Sequence, residues 1–230
     1  MPESIAFFCY IFVLFFSCIL IYYLPFKSSL TRPESEIYLK NAFACFIFSL
    51  LVSILYAIFG SVIGTYGAVI SVLFLLPVFL YNKRFVQEGI HKRLFMLFVV
   101  VHIQLIVTNI LKITFSYFTD TMSLSTMYLL RVPAIIVIMF LIGLIIRSWF
   151  TPYLRQISSE NMKGLWVAPL VFFSAGEYIN TTYYDYETAS YGGAYVIMSF
   201  LLTILFFVLY ILLLYMLSGI VKNSQTDDTQ

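Results

Sequence analysis

The chain has 230 residues, 62% of them hydrophobic and 10% charged, with a formal net charge of +2. Soluble domains are about half apolar and about a quarter charged, so this composition excludes an ordinary soluble domain and places the chain in lipid. The small positive balance argues against a nucleic-acid partner, because the basic residues sit at the ends of apolar runs and not in one patch.

A bilayer core of about 30 Å is crossed by about 20 helical residues. The first apolar run, Ile5 to Phe26, lacks a basic leading segment. At about 22 residues it is also too long for the core of a cleavable signal, so it is expected to be a span. A charged connection from Lys27 to Lys40 follows. Asn41 to Tyr81 then carries no charge and would make about 60 Å of helix, too much for one crossing. The break is expected between Gly60 and Gly67, where Gly60, Gly64 and Gly67 give turn freedom. That leaves a second span from Asn41 to Phe59 and a third from about Thr65 to Tyr81.

Four further spans follow: Leu94 to Tyr117, Tyr128 to Phe150, Leu165 to about Thr181, and Ala194 to about Val221. The last, at about 28 residues, exceeds the bilayer and is expected to tilt or to extend beyond it. Pro77, Pro133 and Pro169 fall inside spans. Lipid cannot satisfy an open backbone, and the alternation of barrel strands is missing, so every span is expected to be a helix. The predicted fold is all-α: a polytopic membrane protein of seven transmembrane helices in one domain, residues 1–222. Residues 223–230 form a polar tail, expected to be disordered, or the start of a linker to an output domain.

Orientation comes from charge. Eleven of the thirteen basic residues fall in alternate connections: Lys27, Arg32, Lys40; Lys83, Arg84, Lys92, Arg93; Arg147, Arg155, Lys163; and Lys222. The other connections hold Asp120, Asp185 and Glu187 and no Lys or Arg. Short cytoplasmic loops keep positive charge, which predicts an outside N-terminus and a cytoplasmic C-terminus.

The fourth span is the unusual one. At about 100° per residue, His102, Gln104, Thr108, Asn109, Lys112 and Ser116 share an arc of about 160°. Such a face is expected to meet protein or a wet cavity and not lipid. It can serve as hydrogen-bonding glue in a central helix or as the wall of a ligand pocket. Lys112 and Arg131 lie about 10 and 12 Å toward the outer side of their span midpoints, within snorkelling reach of water. Glu177 lies at similar depth on a shorter side chain, and needs a proton or a cationic partner. The candidate ligand site is therefore an outward pocket among spans four, five and six. It comprises Lys112, Arg131 and Glu177 with Asn109, Thr108, Gln104, His102, Ser174 and Tyr178. Tyr183, Tyr184 and Tyr186 would form an aromatic rim, or equally an interfacial belt.

No phosphate-binding glycine loop, nucleophile elbow, metal-spaced His pair or kinase motif occurs. Catalysis by this stretch alone is not expected, and neither a metal nor a cofactor is implied. Cys9, Cys18 and Cys45 lie within spans, where they read as small hydrophobes. The motifs of G-protein-coupled receptors are missing: Leu80-Tyr81-Asn82-Lys83 stands where an acidic-Arg-Tyr triplet would be. The last span, Ala194 to Val221, carries no lysine for a retinal Schiff base.

Two segments carry a resemblance: Ile5-Ala6-Phe7-Phe8-Cys9-Tyr10, and Gly164-Leu165-Trp166-Val167-Ala168-Pro169-Leu170-Val171-Phe172-Phe173. With the short-looped helices rich in Phe, Tyr and Ile, the chain resembles the membrane input domains of bacterial sensor histidine kinases of the GHKL class, including the accessory-gene-regulator type. The resemblance implies a bacterial plasma-membrane location, a homodimer and a cytoplasmic kinase part beyond Gln230. The expected function is a receptor or sensor module that relays a small-molecule or peptide signal inward in two-component signalling. The rivals are a small-solute transporter or channel, and a non-catalytic membrane assembly partner.

Overall fold

A computed structural model describes residues 2–59, 76–77, 79–81, 83–116, 122–182, 184–185, 190–191 and 193–227. The expected break at Gly60–Gly67, most of the third span, and the rim residues Tyr183 and Tyr186 lie outside the described residues.

Among the described residues the regular structure is helical apart from an antiparallel ribbon with two residues in each strand, Tyr184–Asp185 with Ser190–Tyr191. The first helix, α1, runs Glu3–Tyr23 and tightens into a 3-10 turn over Leu24–Ser29. Pro25 is the reason. It has no N–H to give the Ile21 carbonyl, and the N–H of Leu24 takes that carbonyl instead, the i to i+3 pattern of a 3-10 turn. Helix α2, Glu34–Phe59, starts just after Pro33 with Glu34 and Glu36 in its first turn, where carboxylates favour the helix dipole.

Helix α3 runs Ile90–Ser116. Helix α4 runs Leu124–Gln156, and the Ser123 hydroxyl caps its start by accepting from the Thr126 N–H at 3.3 Å. It widens into one π turn over Ile146–Phe150, just before Pro152, which cannot donate to a carbonyl one turn back. The Thr151 N–H and hydroxyl both reach the Ile146 carbonyl, the hydroxyl at 3.0 Å.

Helix α5 is Val167–Thr182, 16 residues. The sixth span, read from Leu165, thus begins later: Lys163–Trp166 form turns, and Gly164 adopts φ +87°, which favours a residue without a Cβ. Pro169 consequently sits in the first turn of α5 rather than in a helix interior, where its missing N–H costs nothing. Helix α6 is Gly193–Asp227, 35 residues. It carries helical backbone into the segment expected to be a disordered tail, because extending a helix needs no new nucleus.

Among the described residues, five helices are long and apolar enough to cross a membrane: α1, α2, α3, α4 and the Ile197–Gly219 part of α6. The protein is an integral membrane protein. Large apolar side chains such as Phe43, Ile47, Leu51 and Ile58 on α2, and Val137 and Leu141 on α4, point away from the core, the arrangement that suits a hydrocarbon solvent.

Helix α1 packs on both α2 and α4, while α3 touches α1, α4, α5 and α6. Its apolar part is also the most enclosed of the five, 72% buried, so α3 is the central post. At one end of the bundle the cation-rich connections are tied together. The Thr31 N–H donates to the Phe85 carbonyl and the Gln87 N–H to the Ser29 carbonyl, both at 2.9 Å, around an isolated bridge of Leu30 with Val86. Gly89 lies against Ser159, so close that a Cβ there would stand 2.2 Å from the Ser159 Cβ.

Candidate functional site

The polar arc of α3 turns inward. His102, Gln104 and Asn109 are buried, and the Thr108 hydroxyl donates to the Gln104 carbonyl at 2.8 Å. His102 is fully enclosed. Its Nδ1 stands 2.8 Å from the Tyr210 hydroxyl of α6. The imidazole meets Phe206 edge-on at 4.2 Å between centroids and lies 5.8 Å from Phe172 of α5. Its Nε2 is buried without a hydrogen-bond partner among the described residues. The ring thus links the central helix to both α5 and α6. Close approach is possible because Gly176 has no side chain: a Cβ there would fall 2.5 Å from Leu105 Cδ2.

Arg131 of α4 goes elsewhere. Its guanidinium lies over the rings of Tyr10, Phe115 and Tyr128 at 5.9, 5.6 and 5.6 Å, inside the range of cation–π attraction. Its Nε is buried with no hydrogen-bond partner among the described residues. Tyr128 continues the cluster: its hydroxyl donates to the Tyr56 hydroxyl at 3.3 Å, and the Tyr56 hydroxyl donates to the Glu3 carboxylate. Phe7 stacks on Tyr56 at 4.1 Å. A charged and aromatic network, Glu3–Tyr56–Tyr128–Arg131, therefore joins α1, α2 and α4 at the end opposite the cation-rich loops.

The remaining candidates are spread along α3 and α5. Lys112 and Glu177 are half-buried on these two packed helices. Ser174 is exposed, its hydroxyl donating to the Leu170 carbonyl at 2.9 Å, and Tyr178 is 71% exposed. Of the expected pocket residues, His102 stands in an α3–α5–α6 aromatic cluster, and Arg131 stands in a second cluster built by α1, α2, α4 and Phe115 of α3. Phe115 of α3 belongs to the second cluster and His102 to the first, so one helix connects them.

Sequence reasoning did not single out Tyr210, Phe172 and Phe206 beside His102, or Glu3, Tyr56 and Tyr10 beside Arg131. The one available signal was the carboxylate of Glu3 at the head of an apolar run. Among the described residues no three His, Cys, Asp or Glu side chains are grouped to hold a metal ion.

Compared with protein-family models, curated proteins and solved structures, the chain shows no match.

Proposed function

We propose that this protein is the membrane sensor module of a two-component system, with its N-terminus outside and its C-terminus in the cytoplasm of a bacterial plasma membrane. The supporting observation is the hydrogen bond from the central polar helix to the long final helix, His102 to Tyr210. Helix α3 touches the Arg131 cluster through Phe115 and α6 through His102. A small molecule or peptide that displaces the α1–α2–α4 cluster, or that engages Lys112 and Glu177, would shift α3, and α6 would carry the shift past the membrane edge. This is a ligand-biased equilibrium between two helix arrangements. The charge asymmetry of the loops supports the orientation, and the kinase-sensor resemblance supports a homodimer.

A transporter would need a polar path through both leaflets. On the cation-rich side of His102 the α3 core is Phe95, Met96, Val99 and Val100, all buried, which favours a pocket closed at its base.

The test uses proteoliposomes of a cysteine-free variant carrying a fluorophore at Ser218→Cys. A small-molecule and peptide library is screened by thermal shift. A binder that moves the label, and loses that effect in Tyr210→Phe, supports sensing. A binder that accumulates inside the vesicles makes the protein a transporter.

A further inference from the structure

At the cation-rich end a cleft of about 450 Å³ lies between α1 and α4, with Tyr38 of α2 also lining it. Leu20, Ile21 and Leu24 form one wall, and Ile136, Phe140 and Leu144 the other. Lys27 and Arg147 stand at its loop end. From Ile136 to Arg147 the α4 backbone rises about 16 Å, close to half of a hydrocarbon core of about 30 Å. One end of the cleft therefore lies near the bilayer midplane when Arg147 is at headgroup depth. Gly143 also lines the cleft, and a Cβ there would sit 3.5 Å from Leu24 Cδ1, an ordinary contact, so only a larger side chain would fill the space.

The two cations are not equivalent. Lys27 Nζ is 2.7 Å from the Glu34 carboxylate, and that pair is neutral as a unit. Arg147 is exposed and has no carboxylate within ion-pair distance among the described residues. An apolar trough one leaflet long, ending in an unneutralised guanidinium beside a second, shareable cation, complements an acyl chain joined to a phosphate. We propose that this cleft is a binding site for an anionic phospholipid of the leaflet at the cation-rich end, with the headgroup phosphate on Arg147 and Lys27 and one acyl chain along α4. Basic pockets between transmembrane helices hold lipid headgroups in this way. Glu34 competes with the phosphate for Lys27, so it limits affinity.

Native mass spectrometry of the whole protein in detergent tests this, with phosphatidylglycerol, phosphatidylcholine and inorganic phosphate offered separately. Phosphatidylglycerol is expected to be retained in preference to phosphatidylcholine, and phosphate alone not at all. Arg147→Gln should weaken phosphatidylglycerol retention about fivefold, the worth of one surface cation. Glu34→Gln should strengthen it, because it frees Lys27. Gly143→Leu should reduce retention of both lipids by filling the trough. Arg147 is exposed, so Arg147→Gln is expected to keep the wild-type unfolding midpoint. Equal retention of the two lipids, no response to Arg147→Gln, or competition by inorganic phosphate would each overturn the proposal.

Discussion

His102 Nδ1 and the Tyr210 hydroxyl lie 2.8 Å apart, and they tie the middle of α3 to the middle of α6. An isolated bond of this kind between membrane helices contributes about 0.6 kcal/mol, with an upper range near 1.7. Here the histidine is fully buried beside Phe172, Phe206 and Tyr210, so removing one partner strands a polar nitrogen among aromatic rings. Tyr210→Phe is expected to cost about 1–2 kcal/mol. In the Tyr210→Phe background, His102→Leu should cost less than it does alone. Unfolding titrations of the four proteins of this cycle measure the coupling, and strict additivity would show that the bond contributes nothing.

Tyr56 is the hinge of the second cluster, because its hydroxyl donates to Glu3 and accepts from Tyr128. Tyr56→Phe keeps the stack on Phe7 and removes both bonds. At about 0.5–1.5 kcal/mol per hydrogen bond, a loss of about 1–3 kcal/mol is expected, read as a lower unfolding midpoint in detergent. Glu3→Gln should lose less than Tyr56→Phe, since the amide oxygen still accepts from the tyrosine. A Tyr56→Phe protein as stable as the wild type would mean that the chain from Glu3 to Tyr128 is not formed in solution.

These two clusters also show where sequence reading stops. The rotation of α3 was legible because its polar residues mark one arc, and His102, Gln104 and Asn109 on that arc are buried. Helix α6 carries Thr203 and Tyr210 as its polar side chains between Leu201 and Leu213; they share a face with Phe206, but nothing in that spacing says which helix the face meets. Arg131 was legible as a cation on the outer side, but its surroundings come from Tyr10 and Phe115, residues of distant helices. Local pattern carries no information on such pairings. The start of α5 was misplaced for a different reason: Leu165 and Trp166 are apolar enough to read as span, yet the left-handed Gly164 turns the chain just before them.

Gly89 and Ser159 set the docking of the α3 start on the loop that leads into α5. A methyl at position 89 would meet the Ser159 hydroxyl at 2.0 Å and its Cβ at 2.2 Å. A serine side chain is too short to swing clear, so Gly89→Ala must move backbone. Overpacking of this kind costs about 1–3 kcal/mol. Ser159→Gly should restore much of the loss, because the nearest atom left is the Cα at 3.7 Å, an ordinary contact. Midpoints from thermal unfolding decide it; equal stability of wild type and Gly89→Ala would show that this loop does not pack on α3.

The cysteines report on the α1–α2 seam. Cys18 and Cys45 are each fully enclosed, whereas Cys9 is partly accessible. A buried thiol reacts only after local or global opening. A small, membrane-permeable maleimide added to the folded protein should therefore label Cys9 first and leave the other two protected. Since Cys18 sits on α1 and Cys45 on α2, which pack against each other, one separation of these helices exposes both. Cys18 and Cys45 should accordingly become reactive together, at the same denaturant concentration, when labelling is followed residue by residue by mass spectrometry. Labelling of Cys45 well before Cys18 would place α2 as an independently detaching helix. Labelling of all three at one rate in native conditions would show that α1 and α2 do not form this interface.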